Sequence, residues 1–269
     1  MTASILNIEQ ISLAFGGVKA LTDVSFSVKK GSVFSIIGPN GAGKTSMLNC
    51  ISGRYRPNSG KIIFDGNNVT DLRPNDRADL GMGRTFQNLA LFGHMSVLDN
   101  IMVGRHHLLK NNWLTGPLYW VSGAQKEELA HRRKVEEIID FLEISHIRKS
   151  IAGTLSYGLR KRVELARAMA LNPKLILLDE PMAGMNLEEK EDMARYILDL
   201  NEEFGITVVM IEHDMGVVMD ISHEVMVLDF GKKLICGLPD EVMADPYVKR
   251  AYLGLEEEEE DILQLEGVN

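Results

Sequence analysis

The chain has 269 residues, which is long enough to bury a sizeable core as one large α/β domain or two small ones. Its hydrophobic content of 45% and charged content of 25% are typical of a globular protein, and no apolar run approaches the roughly 18 residues of a membrane-spanning helix. Of the net charge of −9, seven acidic groups fall in residues 256–269, so the remainder carries only −2 and lacks the basic footprint of a nucleic-acid-binding protein.

The first 30 residues alternate between apolar and polar side chains. Segments 5–10, 12–15 and 24–28 are separated by polar or glycine-rich positions, which predicts three antiparallel strands. Phe15 stands directly before two glycines. An aromatic side chain there either stacks on a purine ring or belongs to the core, and the local pattern does not separate the two.

A glycine-rich loop follows the next predicted strand. Residues 33–37 form a buried apolar strand, and the next eight residues match G-x-x-x-x-G-K-[ST] at every position. Glycines let backbone N–H groups converge on a phosphate, and the helix that follows adds the positive end of its dipole. We expect Lys44 to reach the terminal phosphates and Thr45 to ligate Mg²⁺. The nucleotide contacts are predicted for Gly38, Pro39, Asn40, Gly41, Ala42, Gly43, Lys44, Thr45 and Ser46.

The amino-acid composition changes over residues 88–154. This stretch is rich in Met, His and Leu, and its periodicity predicts helices over about 97–109 and 125–142. It is interpreted as a helical subdomain inserted into the core. Residues 113–120 hold both tryptophans and are either a loop packed on this subdomain or an apolar surface for another protein.

Strands and helices alternate after residue 155, which predicts a mainly parallel sheet with its ligand at the carboxyl ends of the strands. The aliphatic strand 175–179 ends in Asp179 and Glu180. Two adjacent carboxylates at a buried edge require a compensating cation. We expect Asp179 to hold Mg²⁺ and Glu180 to deprotonate the attacking water.

Four further positions are ambiguous alone. Ser156 and Gly158 precede a helix and provide either a second anion site or an ordinary helix cap. His213 follows a predicted strand over 206–211, where it can donate to a phosphate or serve a structural role. Gln87 ends the predicted strand 82–86 and carries no assignment by itself.

Taken together and in this order, these motifs resemble the ATP-binding subunit of ABC transporters. The resemblance implies an α/β fold in which a RecA-like P-loop NTPase core carries a flanking antiparallel β subdomain and an inserted α-helical subdomain. The core would span residues 1–87 and 165–255, the helical subdomain 88–164, and an acidic tail 256–269. The signature motif begins at Leu155 and reads Leu-Ser-Tyr-Gly-Leu rather than Leu-Ser-Gly-Gly-Gln, and the D-loop, residues 183–186, has Asn186 where Asp is usual.

The resemblance also implies site roles and partners. Glu180, His213, Gln87 and Lys44 would be catalytic; Thr45, Gln87 and Asp179 would hold the metal; Phe15 would stack on adenine. Two such domains would stack head to tail, with Ser156 and Gly158 meeting the γ-phosphate bound by the other subunit. The implied partners are a second ATPase subunit, two membrane-spanning permeases at whose cytoplasmic face the chain sits and, indirectly, a solute-binding protein.

The signature and D-loop sequences that depart from the usual pattern, together with residues 245–254, are similar to those in the ATPases of high-affinity branched-chain amino acid importers. Urea or amide importers and lipid- or lipopolysaccharide-extracting ATPases share much of the pattern and stay open as alternatives. A soluble ABC-type nucleotide switch is a third class, although such proteins usually carry two ATPase units or a long coiled coil. Two distant cysteines, Cys50 and Cys236, and the absence of a signal-peptide pattern in residues 1–7 suggest a reducing cytoplasm.

Overall fold

The computed structural model describes residues 3–85, 90–108 and 124–253. Its strands are β1 (Ser4–Phe15), β2 (Val18–Lys29), β3 (Val33–Ile37), β4 (Ser59–Phe64), β5 (Asn67–Asn68), β6 (Met82–Arg84), β7 (Leu175–Asp179), β8 (Thr207–Ile211), β9 (Glu224–Asp229) and β10 (Lys232–Gly237). Its α-helices are α1 (Lys44–Ile51), α2 (Pro74–Asp79), α3 (Val97–Gly104), α4 (Ala124–Phe141), α5 (Tyr157–Met169), α6 (Leu187–Glu202), α7 (Met215–Ile221), α8 (Pro239–Ala244) and α9 (Pro246–Leu253).

An antiparallel sheet with the order β2-β1-β4-β5 opens the chain. The prediction of three short strands before residue 30 is wrong, because β1 and β2 are continuous over twelve residues each. The polar interruptions are bulges rather than turns: Gln10 and Asp23 take positive φ values of 52° and 51° beside register shifts in the ladder. Each strand therefore bends without ending.

The second sheet has the order β10-β9-β3-β8-β7-β6, with β10 antiparallel at one edge and the other neighbours parallel. Strands β3, β7 and β8 are buried along their whole length, as continuous apolar runs require in a sheet covered on both faces. Strand β6 ends at Arg84, before the predicted end at residue 86. Gln87 lies outside the described residues.

Side chains of the parallel sheet face two hydrophobic clusters. Phe34 and Ile36 pack with the antiparallel sheet and α1, while Val33 and Ile37 pack with the helices on the other face. Because successive side chains of β3 point to opposite faces of the sheet, this strand packs against both layers. Together the sheets and helices form the mixed α/β fold that was predicted.

The helical segment departs from its predicted bounds. Helix α3 ends at Gly104, and a short 3₁₀ turn over His106–Leu108 follows it. At this break the buried Arg105 donates to His131 Nδ1 at 2.8 Å and to Ala170 O at 2.9 Å. A Cβ on Gly104 would lie 2.5 Å from Arg167 O, so α3 packs closely on α5.

The predictions for the tryptophan-containing insertion and the acidic tail fall outside the described residues, because 109–123 and 254–269 are not among them. Helices α2, α8 and α9 and strand β10 were not predicted from the sequence. Among the described helices, none is both long and apolar enough to span a membrane.

Candidate active site

The loop between β3 and α1 depends on two of its glycines. Gly38 has φ +152°, and a Cβ there would overlap Leu228 O. Gly43 has φ +101°, and its Cβ would lie 2.6 Å from Ala20 O. Gly41 also has a positive φ, of +83°, but faces open space. The loop therefore adopts a shape that side chains at positions 38 and 43 would prevent.

Helix α1 presents its N-terminus to this loop. Gly43 is the N-cap, without a side-chain hydrogen bond to the helix from any described residue, and the first turn carries no acidic side chain. Backbone N–H groups and the helix dipole are thus left for an anion. Lys44 is 6% exposed, and its Nζ donates to Gly38 O at 2.6 Å and Pro39 O at 2.9 Å. Burial lowers its pKa, which the carboxylates of Glu180 and Asp179 partly oppose.

Two supports of this loop were missed in the sequence. In the turn between β9 and β10, Gly231 N donates to Ala42 O at 2.9 Å and Gly231 O accepts from Thr22 N at 2.8 Å. At the other end of α1, the fully buried Arg77 donates to Cys50 O, Ile51 O, Thr70 O and Leu72 O over 2.6–3.1 Å. The guanidinium caps the helix whose first turn faces the loop.

Asp179 ends β7 in a buried setting, with 1% of its surface exposed. Its Oδ2 accepts a hydrogen bond from Arg84 Nη2 at 3.2 Å, and Oδ1 has no hydrogen-bond partner among the described residues. Burial raises the pKa of Asp179, and the Arg84 guanidinium opposes that shift. Arg84 also contacts Ser52, and no role in the site was predicted for it.

The donors fit a hard divalent cation. Asp179 Oδ1 is a buried carboxylate oxygen without a described hydrogen-bond partner, and Thr45 lies beside Lys44 in the first turn of α1. Carboxylate and hydroxyl oxygens are the ligands Mg²⁺ prefers. The third predicted ligand, Gln87, lies outside the described residues.

Glu180 and His213 form a pair at the ends of neighbouring strands. Asp179 is in register with Ile211 in the parallel ladder, so the residues that follow β7 and β8 emerge together. His213 Nε2 lies 2.8 Å from Glu180 Oε1. Glu180 has φ +51°, its N–H donates to Ile211 O at 3.0 Å, and its carbonyl accepts from Lys161 Nζ at 3.1 Å. Backbone contacts on both sides hold this left-handed conformation.

Ser156 and Gly158 begin α5. Ser156 is its N-cap, and its Oγ accepts from Leu159 N at 3.4 Å. A Cβ on Gly158 would collide with the carboxylate of Glu189, and the ring of Tyr157 lies against the position of a Cβ on Gly184. The structure thus brings the predicted signature and D-loop together within one chain. Their role toward a nucleotide on another subunit stays a prediction.

Phe15 is at the end of β1 and is 48% exposed. Its ring contacts Tyr55 edge-on, with 5.1 Å between centroids. The alternative that Phe15 is a core residue is therefore wrong, and an exposed aromatic face is compatible with stacking.

The chain is similar to known proteins over most of its length. The family model described as ABC transporter matches residues 21–183. The high-affinity branched-chain amino acid transport ATP-binding protein BraF of Pseudomonas aeruginosa is 37% identical over 254 residues, or 94% of this chain and 99% of that protein. The lipopolysaccharide export system ATP-binding protein LptB of Haemophilus influenzae is 35% identical, over 93% of this chain and 98% of its own length.

Solved structures are similar over the same extent. An ATP-binding cassette of an ABC transporter in its ADP conformation has a TM-score of 0.81 and 35% identity, over 94% of this chain and all of that one. A dimeric cassette in a post-hydrolysis state, bound to ADP and Pi, has a TM-score of 0.74 and 26% identity, over 87% and 98%.

Proposed function

Since this chain belongs to the ABC transporter family of ATP-binding proteins, we propose that it hydrolyses ATP to power an importer of branched-chain amino acids. The observation that carries the chemistry is the convergence of three strand ends. Strands β3, β8 and β7 are adjacent and parallel, so the loop at Gly38, the histidine at 213 and the carboxylate at 180 share one edge of the sheet.

Each group has a distinct task in this proposal. The loop N–H groups and Lys44 bind the β- and γ-phosphates, for which Lys44 exchanges its present bonds to Gly38 O and Pro39 O. Glu180 accepts a proton from the attacking water, and His213 orients the Glu180 carboxylate through a hydrogen bond. Mg²⁺ held by Thr45 and Asp179 would supply charge stabilisation at the phosphates.

The second half of the site comes from another subunit. Ser156 heads α5, and an N-terminus of a thirteen-residue helix is suited to receive a γ-phosphate. A similar cassette has been solved as a dimer bound to ADP and Pi. Closure of two subunits around ATP would then couple hydrolysis to movement of a membrane partner.

The catalytic assignment is tested by Glu180→Gln, which keeps the shape of the side chain and removes the base. We expect ATP to bind with unchanged affinity, the hydrolysis rate to fall by about 10²–10⁴, and a dimer to accumulate with ATP in size-exclusion chromatography. Glu203→Gln, an exposed carboxylate beyond the far end of α6, is the matched control. Wild-type turnover by Glu180→Gln would remove Glu180 from the mechanism.

The proposed partners are two permeases, a second ATPase subunit of the same or a related chain and, indirectly, a solute-binding protein, with this chain peripheral at the cytoplasmic face of the membrane. The support is the 37% identity to an ATP-binding protein of branched-chain amino acid transport. Because LptB is nearly as similar, lipopolysaccharide extraction is the second candidate.

Reconstitution of the complete transporter in vesicles tests the solute. We expect a binding protein loaded with leucine, isoleucine or valine to stimulate ATP hydrolysis, whereas one loaded with urea does not. Stimulation by lipopolysaccharide in place of these ligands would favour the extraction function and refute the import assignment.

A further inference from the structure

Glu212 lies between the end of β8 and His213, and only 3% of its surface is exposed. Its Oε1 accepts a hydrogen bond from Met182 N at 2.7 Å, and its Oε2 accepts one from His213 N at 3.1 Å. Burial raises the pKa of this carboxyl, and the two backbone donors oppose the shift. The side chain therefore joins two segments that are 30 residues apart in the sequence.

These two segments carry the groups proposed for hydrolysis. The segment after β7 is joined to the end of β8 and the residues that follow it at three points: Glu180 N donates to Ile211 O, Glu212 bridges Met182 N and His213 N, and the side chains of His213 and Glu180 meet. The bonds form a closed circuit that passes through both the proposed base and its histidine. Within it, Glu212 is the side chain that fixes both backbones at once.

A charged carboxylate is energetically unfavourable at a position as buried as that of Glu212. Burial disfavours its charge, and the nearby carboxylate of Glu180 adds repulsion. Two backbone N–H groups pointing at one side chain need two acceptor oxygens, which a carboxylate supplies and an amide does not. The geometry thus explains why Glu rather than Gln stands here.

We propose that Glu212 is a positioning residue for the proposed ATP hydrolysis, holding the backbone of His213 and the segment after Glu180 in fixed register. The inference rests on the proposed function of Glu180 and His213. We expect loss of Glu212 to lower kcat and to leave the affinity for ATP unchanged. Among the described residues, its side chain bonds Met182 N and His213 N and not the loop at residues 38–46.

Two substitutions in the full-length chain test this. Glu212→Gln keeps the volume but turns one acceptor into a donor that faces a backbone N–H, and Glu212→Ala removes both acceptors. We expect kcat to fall at least tenfold in both variants, with the KM and Kd for ATP within twofold of wild type. The rate is expressed per folded molecule, using denaturant unfolding to measure the folded fraction.

The matched control is Asn201→Ala. Asn201 is 7% exposed, and its Nδ2 donates to Ile206 O at 2.9 Å, next to the start of β8 and hence at the opposite edge of the sheet. We expect this variant to lose stability and to retain wild-type kcat. If the Glu212 variants also retain wild-type kcat once corrected for folding, the side chain is structural only and the proposal is overturned.

A double substitution separates positioning through His213 from an independent effect. In a His213→Ala background, Glu212→Gln should lower the rate by clearly less than its effect in the wild-type chain, because the share of that effect that acts through His213 is already lost. A full tenfold further loss would overturn the proposal. If Glu180→Gln and His213→Ala both hydrolyse ATP normally, the catalytic roles proposed for Glu180 and His213 fail, and that outcome is distinguishable from failure of Glu212 alone.

Discussion

Arg77 offers a test of how the phosphate-binding helix is held. The side chain is 1% exposed and donates to four backbone carbonyls around the C-terminus of α1. The substitution Arg77→Met keeps the packing of the stem and removes every donor. Cys50 O keeps a bond from Gly53 N at 3.1 Å, whereas the carbonyls of Ile51, Thr70 and Leu72 have no second backbone donor outside the helices and strands among the described residues.

The bond to Ile51 O is buried and those to Thr70 O and Leu72 O are partly buried, so the three unpaired acceptors cost at most about 3 kcal/mol each, or at most about 9 kcal/mol together. Arg77→Met also removes the free-energy cost of burying a cation. Burial of this cation lowers the pKa of Arg77 to about 10. That relief amounts to several kcal/mol and cancels part of the loss. We expect a net loss of about 3 kcal/mol in the free energy of unfolding, or roughly 6–12 °C in Tm.

Urea unfolding followed by circular dichroism measures this loss, and Arg77→Lys is the informative companion. Lysine keeps the charge but reaches fewer carbonyls, so its loss should fall between wild type and Arg77→Met. A loss below about 1 kcal/mol for Arg77→Met would refute the view that the guanidinium holds this helix end. A lysine variant more unstable than the methionine variant would show that the buried charge, not the missing donors, dominates.

Two further predictions concern the loop and the acid response. Gly38→Ala should abolish ATP-dependent thermal stabilisation because its Cβ overlaps Leu228 O, whereas Gly41→Ala should cost only about 1–2 kcal/mol of backbone strain. The ion pair with Lys190, at 2.6 Å, holds the pKa of Asp214 below its usual value, so its contribution to stability is present above about pH 4 and is lost as the pH falls through the lowered pKa.

Both predictions have a direct check. For the loop, equal loss of ATP binding in the two glycine variants would mean that backbone freedom, not the close approach at Gly38, decides the outcome. For the ion pair, urea midpoints between pH 5 and pH 3 should fall less steeply in Lys190→Met than in wild type. The difference should stay below about 1 kcal/mol because both partners are partly exposed. Parallel curves would contradict the assigned cause.

Much of the nucleotide site could be predicted because its signals are local. The strand β3 with its loop, the carboxylates after β7 and the histidine after β8 each combine a continuous apolar run with polar residues directly behind it. Parallel strands then bring these ends to one edge. The family of the chain and its fold were predicted correctly on the same local motifs.

The supports of the site could not be predicted, because their partners are distant in sequence. Arg77 bonds carbonyls 26 and 27 residues before it, and Glu212 bonds an N–H 30 residues before it. The error at Gln10 has a different origin. A polar residue with positive φ occurs in both a bulge and a turn, and only pairing with the neighbouring strand decides between them.

The turn between β9 and β10 joins two parts of the molecule that the sequence separates widely. Through Gly231 it is bonded to Thr22 in β2 on one side and to Ala42 in the phosphate-binding loop on the other. A displacement of the antiparallel sheet would therefore shift the backbone of the loop at Ala42. A tilt of this sheet would in this way reach the backbone of Ala42 without any direct contact to the loop from outside.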